Sequence, residues 1–411
     1  MITILIVEDN PDKYRAICYE ILKVQGINQE NIYHSNDIVS AKRSLKERKF
    51  SLLILDLHLP RRMGQSEEKM SGLDILDFIS VNNKAISPDY ILGLTAYEDA
   101  FSKSQSDYSS IIWQVIKFEF SSQSWRESLN VSIKYLVAND KPPYRNDGKS
   151  YHLDAGIVCA LDEELHALLD LVSKYERIEI NYDQNNYYKF SIPVEDRFIS
   201  VVAVACPNMG MSTSAVVTHQ LITKFRPRIV TMAGICAGIK GKSNIGDVLV
   251  ADPCFEWGGG KLIEDCNGDL QLKTASYPWR IDSTVKSVLR NIKDDSNYLS
   301  NIATTYPAKK IATPVQLIIA PMASGSSVLQ SQKMMDFIKE QHKDLVGVEM
   351  ESYAVFTACE LTDEPKPYCV SIKSVCDFGD HTKEDGHHNY AAYTSSKITL
   401  EFLQKWFDRN G

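Results

Sequence analysis

Three carboxylates stand where short apolar runs end near the start of the chain: Glu8 and Asp9 follow Ile2 to Val7, and Asp56 closes LLILD. The strand ends of a parallel sheet share one edge, and that edge is where ligands bind. Three acids meeting there would make a hard-oxygen site suited to Mg²⁺, the metal offsetting their mutual repulsion. Thr95, closing GLT, and Lys117, closing VIK, would bring a hydroxyl and an ammonium to the same edge. A phosphorylated aspartate needs both: a cation beside its oxygens and a hydroxyl able to move to meet it. A second acidic group lies far along the chain, with Glu163 in ALDEE, Glu351 in VEMES and Asp377 in CDFGD. Singly, each has an ordinary explanation, since Glu163 and Glu164 at a helix start complement its dipole and Asp377 can cap a turn. His387 and His388 have no cysteine or further histidine at zinc spacing, so no metal site is expected there.

The elements that would position these groups alternate along the chain. Up to Ala138, short apolar strands (Ile2–Val7, Ser51–Asp56, Tyr90–Thr95 and Ile111–Ile116) interleave with amphipathic helices, and Tyr14, Ile17, Cys18, Ile21 and Leu22 form one helical stripe. That pattern predicts a parallel sheet covered on both faces. Residues 139–151 are polar, with Pro142, Pro143 and Gly148, and are expected to link two domains. A second series begins at Asp154, with strands expected at Phe198–Cys206, Ile229–Ala233, Asp247–Asp252, Gln316–Ala320 and Tyr368–Val375. Helices are expected from Glu163 towards Val172 and at Ser212–Phe225, Ser331–Gln341, Ser352–Leu361 and Ala391–Phe407.

On Glu8, Asp9, Asp56, Thr95 and Lys117, residues 1–138 resemble a response-regulator receiver domain. The resemblance implies Mg²⁺ held by Glu8, Asp9 and Asp56, Asp56 as phospho-acceptor, and Thr95 and Lys117 as switch residues. Two positions depart from the family pattern: Phe118 follows Lys117 where a proline is usual, and Gln114 takes the aromatic position. Arg61–Met70 reads as an insertion beside the acceptor. Residues 152–411 resemble the nucleoside phosphorylase superfamily and, within it, the methylthioadenosine and adenosylhomocysteine nucleosidases. The motifs are GIVCALDEEL (Gly156–Leu165), GICAG (Gly234–Gly238), GDVLVAD (Gly246–Asp252), GVEMES (Gly347–Ser352) and SVCDFGD (Ser374–Asp380). Together the resemblances imply an α/β chain: a flavodoxin-like (βα)5 receiver domain, residues 1–138, followed by a nucleoside-phosphorylase-like α/β/α domain with a mixed central sheet.

Breaking the bond between adenine and ribose leaves a sugar with oxocarbenium character, so a site must stabilise positive charge and neutralise the departing base. The resemblance implies Asp377 as the acid that protonates the purine, Glu163 as the carboxylate that deprotonates water, and Glu351 gripping the ribose hydroxyls above Met350. Gly234, Ile235, Val328 and Cys376 are implied to complete the substrate pocket. Phosphorolytic members hold phosphate with an arginine where this chain has Met232, and acids in ALDEE would repel a phosphate dianion. Hydrolysis is therefore expected, with no cofactor at the glycosidase.

A receiver joined to such an enzyme resembles the effectors of bacterial two-component antiphage defence systems. That implies ATP split to adenine and ribose 5-triphosphate, a sensor histidine kinase or phosphotransfer partner, and a homo-oligomer. A constant loss of ATP would be lethal, so an aspartyl phosphate would serve as its switch. Lys261, Arg280, Lys309 and Lys310 are candidates for the triphosphate. The alternatives are a methylthioadenosine/adenosylhomocysteine nucleosidase, a purine nucleoside phosphorylase, or a catalytically silent nucleotide sensor.

Composition excludes other classes. The net charge of −8 argues against nucleic acid, whose phosphates select basic surfaces. The apolar start stops at Glu8, too short for a signal-peptide core, and no apolar run reaches the roughly 18 residues of a membrane span. Nine cysteines, mostly within apolar stretches and without metal spacing, read as reduced thiols of a cytoplasmic protein.

Overall fold

A computed structural model describes residues 2–410 apart from 67, 69, 82–84, 97–111, 145, 196, 265–269, 276, 309–313 and 380–386. The chain divides into two units, Met1–Lys141 and Pro142–Gly411.

In the first unit β1 (Ile4–Val7), β2 (Ile32–Ser35), β3 (Leu52–Leu55), β4 (Tyr90–Thr95) and β5 (Gln114–Lys117) form an all-parallel sheet in the order β2-β1-β3-β4-β5. Side chains alternate across a strand, so Ile4 and Ile6 pack in one core while Leu5 and Val7 pack in another on the opposite face. Helices α1 (Pro11–Ile21) and α4 (Ser124–Asn139) cover the first face; α2 (Ile38–Glu47) and α3 (Leu73–Val81) cover the second. This is a flavodoxin-like arrangement. Asn10 caps α1, its side chain accepting from Asp12 N and Lys13 N, with Pro11 at the first helical position. The cap starts the helix immediately beyond Glu8 and Asp9. Ile111, the first residue of the strand expected at Ile111–Ile116, lies outside the described residues.

The second unit is built on nine strands in the order β15-β14-β11-β16-β10-β6-β9-β8-β7. Its centre is parallel: β6 (Leu153–Cys159), β9 (Arg197–Ala205), β10 (Pro227–Gly238) and β16 (Tyr368–Asp377) run the same way. On one side β7 (Tyr175–Ile178) and β8 (Tyr187–Val194) add antiparallel strands; on the other stand β11 (Val248–Glu256), β14 (Leu317–Ser324) and β15 (Gly347–Glu349). β15 also pairs antiparallel with the far end of β10, where a register shift falls between Cys236 and Ala237. The helices that frame the site are α5 (Asp162–Leu169), α6 (Met211–Phe225), α10 (Ser352–Glu360) and α11 (His388–Asn410). β12 (Gly260–Glu264) and β13 (Leu270–Thr274) pair as a separate hairpin.

The strand expected at Asp247–Asp252 starts one residue later and continues past Pro253 to Glu256. Two helices went unread in the sequence, α7 (Ser283–Asp294) and α8 (Ser296–Thr304), yet α7 buries Val285, Val288, Leu289 and Ile292, a plain helical stripe. A further helix, α9 (Gln332–Gln341), begins one residue after the expected Ser331, which is its N-cap. Among the described residues no helix is long and apolar enough to cross a membrane.

Candidate functional site

Because β6, β10 and β16 run in parallel, their carboxyl ends meet at one edge, and there a cavity of about 150 Å³ opens. Ala160, Leu161 and Glu164 reach it from the end of β6, Ile235 to Ala237 from β10, and Cys376 and Asp377 from β16. Glu349, Met350 and Glu351 close it from β15.

Pairing between β6 and β10 stops at Val158 and Met232. The backbone beyond is therefore available, and Ile235 N donates to Glu164 Oε1 at 2.8 Å. Glu164 Oε2 accepts from Ala160 N at 2.7 Å and Leu161 N at 3.0 Å. Three backbone donors thus fix one carboxylate. Gly234 leaves the room for it: a Cβ there would collide with the Glu164 carboxylate.

Glu351 Oε1 accepts from Gly210 N at 2.9 Å, and its Oε2 lies 3.3 Å from Lys373 Nζ. Lys373 is fully buried in β16 and also lies 3.8 Å from Glu349 Oε2. Burial works against its charge, but Glu164, Glu351 and Glu349 outweigh burial and hold it charged. Burial raises the Glu351 carboxyl above the ordinary range; Glu349 and Glu164 push the same way and Lys373 opposes. Glu349 is spent on structure, accepting from Glu351 N at 2.9 Å, Ser352 N at 2.8 Å and the Ser324 hydroxyl. Asp377 is buried, its Oδ1 accepting from Gly379 N at 2.7 Å and its Oδ2 facing Cys376 Sγ at 3.4 Å.

The expectation for Glu163 is corrected. Glu163 does not line the cavity; its side chain is 42% exposed and its Oε1 lies 3.2 Å from His388 Nδ1, while Glu164 is the acid turned inward. Glu351 and Asp377 meet at the cavity as expected, with Met350, Ile235, Val328 and Cys376 around them. Gly234 stands behind the lining rather than in it. Glu349, Lys373 and His388 were missed. A lone lysine inside the apolar strand SIKSV was the available signal for Lys373. Lys261 and Arg280 do not line the cavity, and Lys309 and Lys310 lie outside the described residues. No lysine or arginine lines it among the described residues.

In the first unit Glu8 and Asp56 are buried, and donor oxygens of Glu8, Asp9 and Asp56 all lie within 4.8 Å of one another. That donor set fits a hard divalent cation. Thr95 is buried at the end of β4, in register with Lys117 on β5. Lys117 does not take its expected place: its side chain is 44% exposed and its ammonium sits 3.4 Å from Glu119. The cation that meets Asp56 is Lys13, 2.5 Å from Asp56 Oδ2 and 2.8 Å from Glu8 Oε2. Sequence reading passed over Lys13 because it flanks the apolar stripe of α1. Burial raises the Glu8 carboxyl to about 7, with Lys13 opposing and Asp56 adding.

Residues 154–404 match the family described as the phosphorylase superfamily. The chain belongs to the phosphorylase superfamily. Over 99% of its length it is 31% identical to the uncharacterized protein y4jS of Sinorhizobium fredii, which it covers completely. It is 23% identical to ATP nucleosidase Cap17 of Escherichia coli over 60% of this chain and 50% of that one, so the chain spans about half the length of that relative. Among solved structures, a Helicobacter pylori 5'-methylthioadenosine/S-adenosyl homocysteine nucleosidase covers 63% of this chain and 99% of its own, at 19% identity and a TM-score of 0.48. Within the superfamily this chain is a hydrolytic N-glycosidase.

Proposed function

We propose that the second unit hydrolyses the N-glycosidic bond of an adenine nucleotide, ATP foremost, to adenine and ribose 5-triphosphate. In this reading a sensor histidine kinase or phosphotransfer partner controls it through phosphorylation of Asp56, as the effector of a two-component antiphage defence system. The observation that carries hydrolysis is the charge of the cavity: Glu164, Glu349, Glu351 and Asp377 line it without a described lysine or arginine. An oxocarbenium-like sugar is stabilised there, and a phosphate dianion is repelled.

Glu164, held by three backbone N–H groups, takes a proton from water as the oxygen attacks the anomeric carbon. Asp377 gives a proton to the purine, so the base departs neutral. Glu351 accepts from the ribose hydroxyls, with Met350 against the sugar. In the first unit Asp56 is the acceptor and Thr95 the hydroxyl that follows the phosphoryl group. Glu8, Asp9 and Asp56 would hold Mg²⁺, which when bound neutralises charge on the transferred group.

ATP is favoured by the likeness to Cap17. The absence of a described basic side chain at the cavity favours a second reading, an uncharged adenine nucleoside such as methylthioadenosine. Adenine release from ATP, AMP, adenosine and methylthioadenosine, with and without a phosphoryl donor, tests both. ATP turnover that Asp377→Asn abolishes is expected; adenine from none of the four would end the proposal.

A further inference from the structure

We propose that Lys13, and not the strand-end Lys117, supplies the positive charge against the acceptor carboxylate when Asp56 takes a phosphoryl group. This rests on reading Asp56 as the acceptor. Lys13 stands in the first turn of α1 and is 4% exposed. Its three ammonium hydrogens have three acceptors: Asp56 Oδ2 at 2.5 Å, Glu8 Oε2 at 2.8 Å and the Leu94 carbonyl at 2.9 Å. The Phe118 ring, with its centroid 5.3 Å away, lies over the same ammonium. The charge is therefore fixed in position. An ammonium is buried only where partners repay its lost hydration, and here the partners are the reacting group and its neighbour.

Lys117 differs in burial. It is nearly half exposed and pairs with Glu119, an exposed surface acid. A charge held that way is screened by water. Glu8, Asp9 and Asp56 gather three acidic side chains at one place, and Lys13 is the cation paired with two of them. Phe118 in the place of the usual proline fits the same picture, because its ring faces Lys13.

In the step itself, an Asp56 carboxylate oxygen attacks phosphorus and forms a new P–O bond. The P–O bond to the donor breaks, and its electron pair leaves with the donor oxygen, as acetate when the donor is acetyl phosphate. Negative charge on the transferred phosphoryl oxygens then lies within reach of an ammonium already hydrogen-bonded to the attacking carboxylate.

The full-length chain, incubated with acetyl phosphate and Mg²⁺ and followed by intact mass, tests this with Asp56→Asn as the blank. Lys13→Met is expected to slow acylphosphate formation about 10-fold or more, and Lys117→Met to leave it within about two-fold. Thermal melting checks that Lys13→Met and Lys117→Met both fold. Loss of labelling in Lys117→Met, or full labelling in a folded Lys13→Met, overturns the proposal while leaving Asp56 as acceptor. An unlabelled wild-type chain overturns the acceptor reading and this proposal with it.

Discussion

A helix turns by about 100° per residue, so Glu163 and Glu164 leave the helix in different directions, and only Glu164 lines the cavity. Their surroundings give the pair opposite fates: backbone donors and burial for Glu164, water and His388 for Glu163. Glu164→Gln is expected to lower kcat by about 10²-fold or more, the usual worth of a general base. Glu163→Gln is expected to stay within a few-fold of wild type, and steady-state adenine release decides between them. Lys373 offers a second check. It lowers the Glu351 carboxyl against burial, so without it Glu351 stays protonated to higher pH. If ionised Glu351 grips the ribose, kcat/KM falls on acidification through its pKa. Lys373→Met then shifts that acid limb upward in pH and, by leaving three buried carboxylates without their cation, costs about 3–5 kcal/mol of stability. A pH profile and a denaturant melt measure the two effects.

At the scale of elements, the divergence of β10 from β6 makes the site. Where pairing stops after Val158 and Met232, Ile235 N turns to Glu164, and Gly234 clears the space between. Gly234→Ala is expected to expel the Glu164 carboxylate, costing about 1–3 kcal/mol as overpacking does and most of the activity. A folded, fully active Gly234→Ala protein would show that the carboxylate position is immaterial. The strands of this edge were largely legible, because alternating and continuous apolar runs such as Ile229–Ala233 and Tyr368–Val375 mark buried strands. β15 was not. Three residues are too few for a periodic signal, yet their pairing with β10 and β14 carries Glu349, Met350 and Glu351 to the cavity.

For the whole molecule, two units with separate cores imply separable chemistry. Asp56→Asn is expected to abolish any response to a phosphoryl donor while leaving basal adenine release intact, and Asp377→Asn to abolish release in either state. Added inorganic phosphate is expected to leave the rate unchanged, since the cavity presents carboxylates to any anion. Each outcome is read from the same chromatographic assay of free adenine.

The sequence by itself determined the alternation of strands and helices, the two series separated by a polar, proline-bearing stretch, and the acids Glu351, Asp377, Glu8 and Asp56 at strand ends. Those features are local: each is written in spacing, apolar periodicity or a motif. Tertiary structure alone decided which of two adjacent glutamates turns inward, that Lys373 lies among buried acids, and that Lys13 rather than Lys117 meets Asp56. Such choices depend on helix rotation and on which strands part company. They are set by packing between residues distant in the chain, and no spacing rule within one segment encodes them.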